Sequence, residues 1–228
     1  MIRLHFVVEG QTEATFVSLV LAPHLSKFQV FTKVRLVRTS PRGAGGLVNY
    51  EHAKADLRRW MTEDRHASAR FTTMFDLYQL PNTFPGYAEA AGLEPFSRVR
   101  KLESAMTADI EGAAFPSRFV PYVQLHEFEA LVLAEPARLG SEYPEHAAGA
   151  AALESECRPF DSPEQINDSP ATAPSKRILA HVPGYEKVRA GPALVNKIGL
   201  PTLRMRCPHF GEWLSRLESL DERELPVP

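Results

Sequence analysis

An α/β fold is predicted, with a mostly parallel sheet of about four strands flanked by helices and a mainly helical C-terminal extension. Three observations predict it. Apolar segments of strand length alternate with segments of helical spacing over residues 1–135, the order that builds a parallel sheet with helices on both faces. Three of the four strand segments end in carboxylates, at the strand ends where open α/β sheets build their sites. Residues 136–228 then change character, with alanine-rich and amphipathic stretches in place of strands. The expected organisation is a core over 1–135, with 136–228 packed on it as one compact unit.

The elements follow in order. Ile2 to Val8 is a mostly apolar run of strand length, closed by Glu9 and Gly10. Thr12 to Leu25 carries Phe16, Leu19, Val20 and Pro23 near helical spacing. Val30 to Thr39 alternates and reads as a second strand, and SPRGAGG at 40–46 is a loop carrying Arg42. Asn49 to Thr62 is helical, with Ala53, Leu57 and Trp60 on one face. Arg70 to Leu77 (RFTTMFDL) is a third strand ending at Asp76. Leu80 to Pro95 is rich in proline and glycine and reads as a surface loop. Phe96 to Glu111 is helical, and Phe119 to Leu125 is a fourth strand running into HEFEALVLAEP, acidic and then helical. Pro136 to Glu156 is helical in parts, and Phe160 to Arg177 is predicted to be largely extended because of its prolines and small polar residues. Gly184 to Leu200 is helical in part. Pro208 to Leu220 is a final amphipathic helix with Phe210, Trp213, Leu214 and Leu217 inward.

Composition excludes several function classes. With 228 residues, 44% hydrophobic and 24% charged, the chain buries a full core. A formal net charge of −2 argues against a protein that coats polyanions over its whole surface, while leaving room for a local basic groove. No apolar run reaches the roughly 20 residues of a membrane helix. The N-terminal residues lack a signal-peptide pattern. Cys157 and Cys207 are too few for a disulfide framework or a zinc cluster. A reduced, cytoplasmic protein is expected, of undetermined oligomeric state.

Parallel strands point the same way, so Glu9, Asp76 and the pair Glu127 and Glu129 converge at one edge of the sheet. Carboxylate oxygens are ligands of Mg²⁺ and Mn²⁺, which pair with substrate phosphates and activate water for attack on a phosphodiester. For any single acid the plain reading is a helix N-terminal residue favoured by the macrodipole, and this suits Glu13 best. Side chains two apart share a face of a strand and separate on a helix, so whether both Glu127 and Glu129 reach the site depends on where the strand ends. Ser175, Lys176 and Arg177, with Lys187 after them, supply donors and cations for phosphate contact or charge stabilisation. Arg42 is a further phosphate contact, although GAGG lacks Walker spacing. His126 reads equally as a ligand or as a strand-end structural histidine. Cys207 and His209 read as packing, as do Trp60, Trp213, Phe84 and Tyr87, the last two with base stacking as the alternative.

VVEGQTE, with a strand before it and a helix after, is similar to the first motif of the Toprim superfamily of topoisomerases, primases and OLD-type nucleases. FDLYQLPNTFPG, HEFEALVL, INDSPATAPSKRI, Tyr185 to Lys187 and IGLPTLRMRCPHFGEWL resemble the Toprim-like DUF4276 family, and the resemblance spans nearly the whole chain. It implies a Toprim-like (Rossmann-like) sheet. Glu9 matches the motif-one glutamate, a metal ligand or general acid/base. Asp76 matches the first aspartate of the motif-two pair, whose second position is Tyr78 here. That departure removes one carboxylate, which Glu127 and Glu129 are placed to replace. The resemblance further implies an ATPase partner of the ABC or SMC kind in anti-phage defence.

The expected function is divalent-metal-dependent hydrolysis of nucleic-acid phosphodiesters. Glu9, Asp76, Glu127 and Glu129 hold Mg²⁺ or Mn²⁺, and Glu9, Asp76, Lys176 and Lys187 form the catalytic set. Arg42, Ser175, Lys176, Arg177 and Lys187 contact phosphate. The alternatives are a non-catalytic scaffold that binds nucleic acid or an ATPase, and nucleotidyl transfer.

Overall fold

The computed structural model describes residues 1–37, 47, 49–78, 80–111, 118–166 and 171–220. The sheet is parallel throughout, with β1 (Ile2–Val8) at its centre between β2 (Val30–Leu36) and β3 (Ala69–Asp76). Beyond β3 lie two short segments, β4 (Phe119–Val120) and β5 (Val123–Gln124), giving the order β2-β1-β3-β4 with β5 also paired to β3. The predicted fourth strand is therefore present in two pieces. Both keep one register on β3, Phe71 opposite Phe119 and Phe75 opposite Val123. Between them Pro121 has no amide to give the ladder, and Thr73 substitutes its hydroxyl as acceptor for Tyr122 N–H (2.9 Å) and donor to Tyr122 O (3.0 Å).

Helices cover both faces because both faces are apolar. Ile2, Leu4, Phe6 and Val8 face α1 (Gln11–Phe16) and the helices after residue 128. Val7, Phe71 and Phe75 face α3 (Tyr50–Glu63) and α4 (Pro95–Glu111). The predicted helix over 12–25 is split: α1 passes through a π-helical stretch, Val17–Leu21, into α2 (Ala22–Leu25). The Asn49 side chain caps α3 by accepting Glu51 N–H (2.8 Å). Phe84 and Trp60 are buried, so the packing reading holds for both. Phe84 lies 4.9 Å from Tyr50, ring centre to ring centre.

Chain reversal after β5 is made at His126, which takes a left-handed conformation (φ 63°) while its carbonyl accepts Tyr78 N–H (2.7 Å). Helix α5 (Glu129–Val132) then begins, followed by α6 (Ala137–Glu142) and α7 (Ala147–Cys157). The expectation of an extended segment through Arg177 is corrected by α8 (Pro174–His181). Proline at the first helical position forfeits no hydrogen bond and presets the helical φ, so Pro174 starts the helix rather than preventing it. Helices α9 (Lys187–Ile198), α10 (Leu200–Arg206) and α11 (Pro208–Glu218) complete the layer. Among the described residues, no helix is long and apolar enough to cross a membrane.

Trp213 and Glu164 fix α11 to the sheet. Trp213 stacks on Tyr122 (ring centres 4.1 Å apart) and donates its indole N–H to Thr72 Oγ1 (2.9 Å). Glu164 is fully buried and accepts the first-turn amides of α11, His209 N–H (2.9 Å) and Phe210 N–H (3.0 Å). Helix amides buried without an acceptor are costly. Glu164→Ala is expected to lower stability by about 3 kcal/mol, the cost of orphaning two buried donors. Urea unfolding measures this, and a change below about 0.5 kcal/mol, the range of neutral surface substitutions, would contradict the capping role. His209 is a buried structural residue, with Nε2 3.0 Å from Glu103 Oε1. Cys157 and Cys207 are buried free thiols.

Candidate functional site

Strand order reverses direction between β1 and β3. In open parallel sheets the crevice beyond the carboxyl ends of strands flanking such a point is where ligands bind. Glu9 leaves the end of β1 here, and Asp76 is the last residue of β3. The two are joined directly, since Asp76 N–H donates to Glu9 Oε1 (3.2 Å).

Two more carboxylates arrive on helix starts. Glu13 lies in the first turn of α1, where its carboxylate reaches back toward the Gly10 amide in the manner of a capping box. Gly10 has an extended backbone, so its small size matters more than its flexibility: a Cβ would sit 3.2 Å from Glu13 Oε2. Glu129 is the first residue of α5 and fully buried. Its Oε1 accepts from Tyr185 Oη at 3.4 Å.

Lys187 stands among these acids. Its Nζ is 3.0 Å from Glu129 Oε2 and 3.5 Å from Asp76 Oδ2. As the first residue of α9 it opposes the helix dipole, so the carboxylates and not the helix hold it there. Packing of α9 on α1 and α5 brings it across the molecule, with Gly191 allowing the approach: a Cβ would meet Tyr185 Oη at 3.0 Å and Phe128 at 3.2 Å.

One ammonium does not balance four carboxylates, and their proton affinities show the excess. Burial, then the neighbouring Glu13 charge, raises the Glu9 pKa to about 8. Amides of Asp76 and Leu47, together with Lys187, offset only part of this. Burial also raises Asp76 well above the usual carboxylate range, with Glu13, Glu9 and Glu129 adding to it against Lys187. Glu13 and Glu129 are raised by burial as well. Burial works against the Lys187 ammonium, yet Asp76 and Glu129 hold its proton more tightly than usual. Asp76 Oδ1 is buried and accepts no hydrogen bond among the described residues.

A pH dependence follows. The fold favours protonated Glu9, so its contribution is present below the unfolded value of 4.5 and is lost as pH rises through about 8. In chelator, wild type is expected to lose up to about 5 kcal/mol relative to Glu9→Gln across that window. Denaturant unfolding at several pH values measures the difference, and a constant difference would contradict it.

The remaining predicted residues are placed as follows. Of the HEFE acids Glu129 is the one paired with Lys187, because the strand ends at Gln124 and the turn at His126 redirects the chain. Glu127 accepts Ser175 N–H (2.9 Å) at the start of α8 and adjoins the cluster through Glu129, whose proton affinity its charge helps to raise. Lys176 is exposed on the first turn of α8. Arg177, expected on phosphate, ion-pairs with Glu156 and donates to Thr172 O (2.8 Å), clamping α8 to α7. Arg42 lies outside the described residues. Glu13 is the member that the sequence reading left as a helix acid. The signal for it was the spacing in EGQTE, which sets a strand-end acid and a third-position helix acid on either side of one turn.

A family model described as a domain of unknown function (DUF4276) matches residues 8–218. Comparison with curated proteins and with solved structures gave no match. The matched span takes in every residue of the acid cluster and Lys187. The chain belongs to the DUF4276 family.

Proposed function

We propose that this chain is a Toprim-like, divalent-metal-dependent nuclease, hydrolysing nucleic-acid phosphodiesters at the carboxyl edge of β1 and β3. The observation that carries this reading is the meeting of Glu9, Glu13, Asp76 and Glu129 around Lys187, all four raised in proton affinity by burial and Glu9 and Asp76 further by neighbouring carboxylates. Such crowding opposes folding unless the site has use for positive charge. The donor set suits Mg²⁺ or Mn²⁺, being hard oxygen throughout, and the orphaned Asp76 Oδ1 is an acceptor without a partner among the described residues.

Among the described residues no three of His, Cys, Asp or Glu are gathered as a ready-made metal cage. Mg²⁺ at phosphate sites needs only one or two carboxylates, with water and substrate completing its shell. Glu9 and Asp76 are the residues that would hold it, with Glu13 and Glu129 beside them. When bound, the ion supplies Lewis-acid polarisation and a more acidic water. Lys187 supplies the cation for the scissile phosphate. Ser175 and Lys176, at the start of α8, are the outer phosphate contacts. The Toprim resemblance extends the proposal to an ATPase partner and a role in anti-phage defence.

Cleavage of labelled single- and double-stranded DNA and RNA, with Mn²⁺ or Mg²⁺ against chelator, tests this. Metal-dependent cleavage is expected. A second reading, a non-catalytic scaffold, is favoured by Lys187 already sitting among the acids and by Tyr78 in the second motif-two position. Nucleic-acid or ATPase binding without cleavage under any metal would support that reading instead.

A further inference from the structure

Toward the opposite ends of the strands and along β2 cations gather, with Asp64 and Glu63 among them. Arg3, Lys33, Arg35, Arg65, Arg70 and Arg118 gather around the starts of β1 and β3 and along β2, near enough to influence His5 or Arg118. Two of these cations are spent on the fold. Arg118 donates to Ala69 O (3.3 Å) and to Asp64 O, and Arg70 donates to Ala67 O (2.8 Å). Arg3 pairs with Asp64, and Arg35 pairs with Glu63 at 3.2 Å. Lys33 and Arg65 are exposed, and neither has an ion pair among the described residues.

An aromatic ring lies within this surface. Phe31 is 45% exposed on the edge strand β2. The register sets it opposite Arg3, with Lys33 two residues further on the same face. A single exposed apolar residue is unremarkable. A half-exposed ring flanked on one sheet face by cations, in a chain of net charge −2, is the arrangement that stacks bases and contacts phosphates. An acidic protein segment would use the cations and leave the ring without a role.

We infer that the strand-start end of the sheet, around Phe31, Arg3, Lys33 and Arg65, binds single-stranded nucleic acid, a base stacking on Phe31 and phosphates meeting the cations. This surface lies roughly 20 Å along β1 from Glu9, at about 3.3 Å per residue. It goes beyond the proposed hydrolysis and stands whether or not the carboxylate edge cleaves.

Fluorescence anisotropy with labelled oligothymidylate and oligouridylate, each of about 20 nucleotides, tests it on the full chain in chelator, long enough for a site of this kind. Phe31→Ala is expected to weaken binding by about tenfold, within the range for loss of one stacked base. Lys33→Ala with Arg65→Ala is expected to reduce the slope of log affinity against log salt by roughly 1.4, two phosphate contacts on a single strand. The chelator suppresses metal-dependent cleavage, so loss of cleavage and loss of anchoring are read separately. All substituted surface residues are exposed, and circular dichroism checks that the variants fold. No saturable binding by wild type overturns the inference, as does binding undiminished in both surface variants. Equal binding of polyglutamate, insensitive to Phe31→Ala, also overturns it and points to an acidic protein partner.

Discussion

Asp76→Asn is expected to abolish metal-dependent cleavage while leaving the protein at least as stable in chelator. Asp76 is held among three other carboxylates, with burial raising its proton affinity well above the usual range. An amide keeps the shape and removes the charge that the fold resists. A gain of about 1 kcal/mol is expected, the usual scale for relieving a strained functional group. The rate should fall about 10³-fold, equivalent to several kcal/mol of lost charge stabilisation around the metal. Urea unfolding and single-turnover cleavage on the same preparation measure the two effects. A destabilised variant that still cleaves would contradict both.

Lys187→Met separates the lysine's two tasks. In chelator the acids lose their ammonium, and stability is expected to fall by about 2 kcal/mol, less than a fully buried pair would cost because Lys187 is 38% exposed. With Mn²⁺ present most of this deficit closes. The acids no longer share their charge with an ammonium, so metal affinity is expected to rise roughly tenfold, about 1.4 kcal/mol of charge balance. Cleavage still falls by about 10²-fold, since the metal does not replace the cation on the phosphate. Unchanged metal affinity together with unchanged cleavage would reduce Lys187 to a structural ion pair.

The strand-end acids were legible because they rest on local patterns. A mostly apolar run of strand length that stops at Glu9, and a strand-length segment (RFTTMF) that stops at Asp76, place both carboxylates without knowledge of the rest. Parallel pairing then brings them together. Glu127 and Glu129 were not separable in this way. Their difference depends on one left-handed residue, His126, whose carbonyl accepts the Tyr78 amide from the turn after β3. The basic segment SKR was prominent in sequence, but its local structure was not legible there. Pro174 starts a helix there, which leaves Lys176 in solvent and turns Arg177 onto Glu156. Lys187 was expected in the catalytic set, but its place among the acids could not be read from local pattern, since it comes from the long-range packing of α9 on α1. The two-piece fourth strand was hidden for a similar reason, since Thr73 on β3 decides how the ladder passes Pro121.

The central claim is that the crowded carboxylates exist to hold a divalent cation. Titration calorimetry with Mn²⁺, near neutral pH, on wild type and on Asp76→Asn tests it most directly. Saturable binding by wild type that is lost in a folded variant is the predicted result. A folded wild type that takes up no Mn²⁺, or a variant that binds it equally well, would contradict the claim.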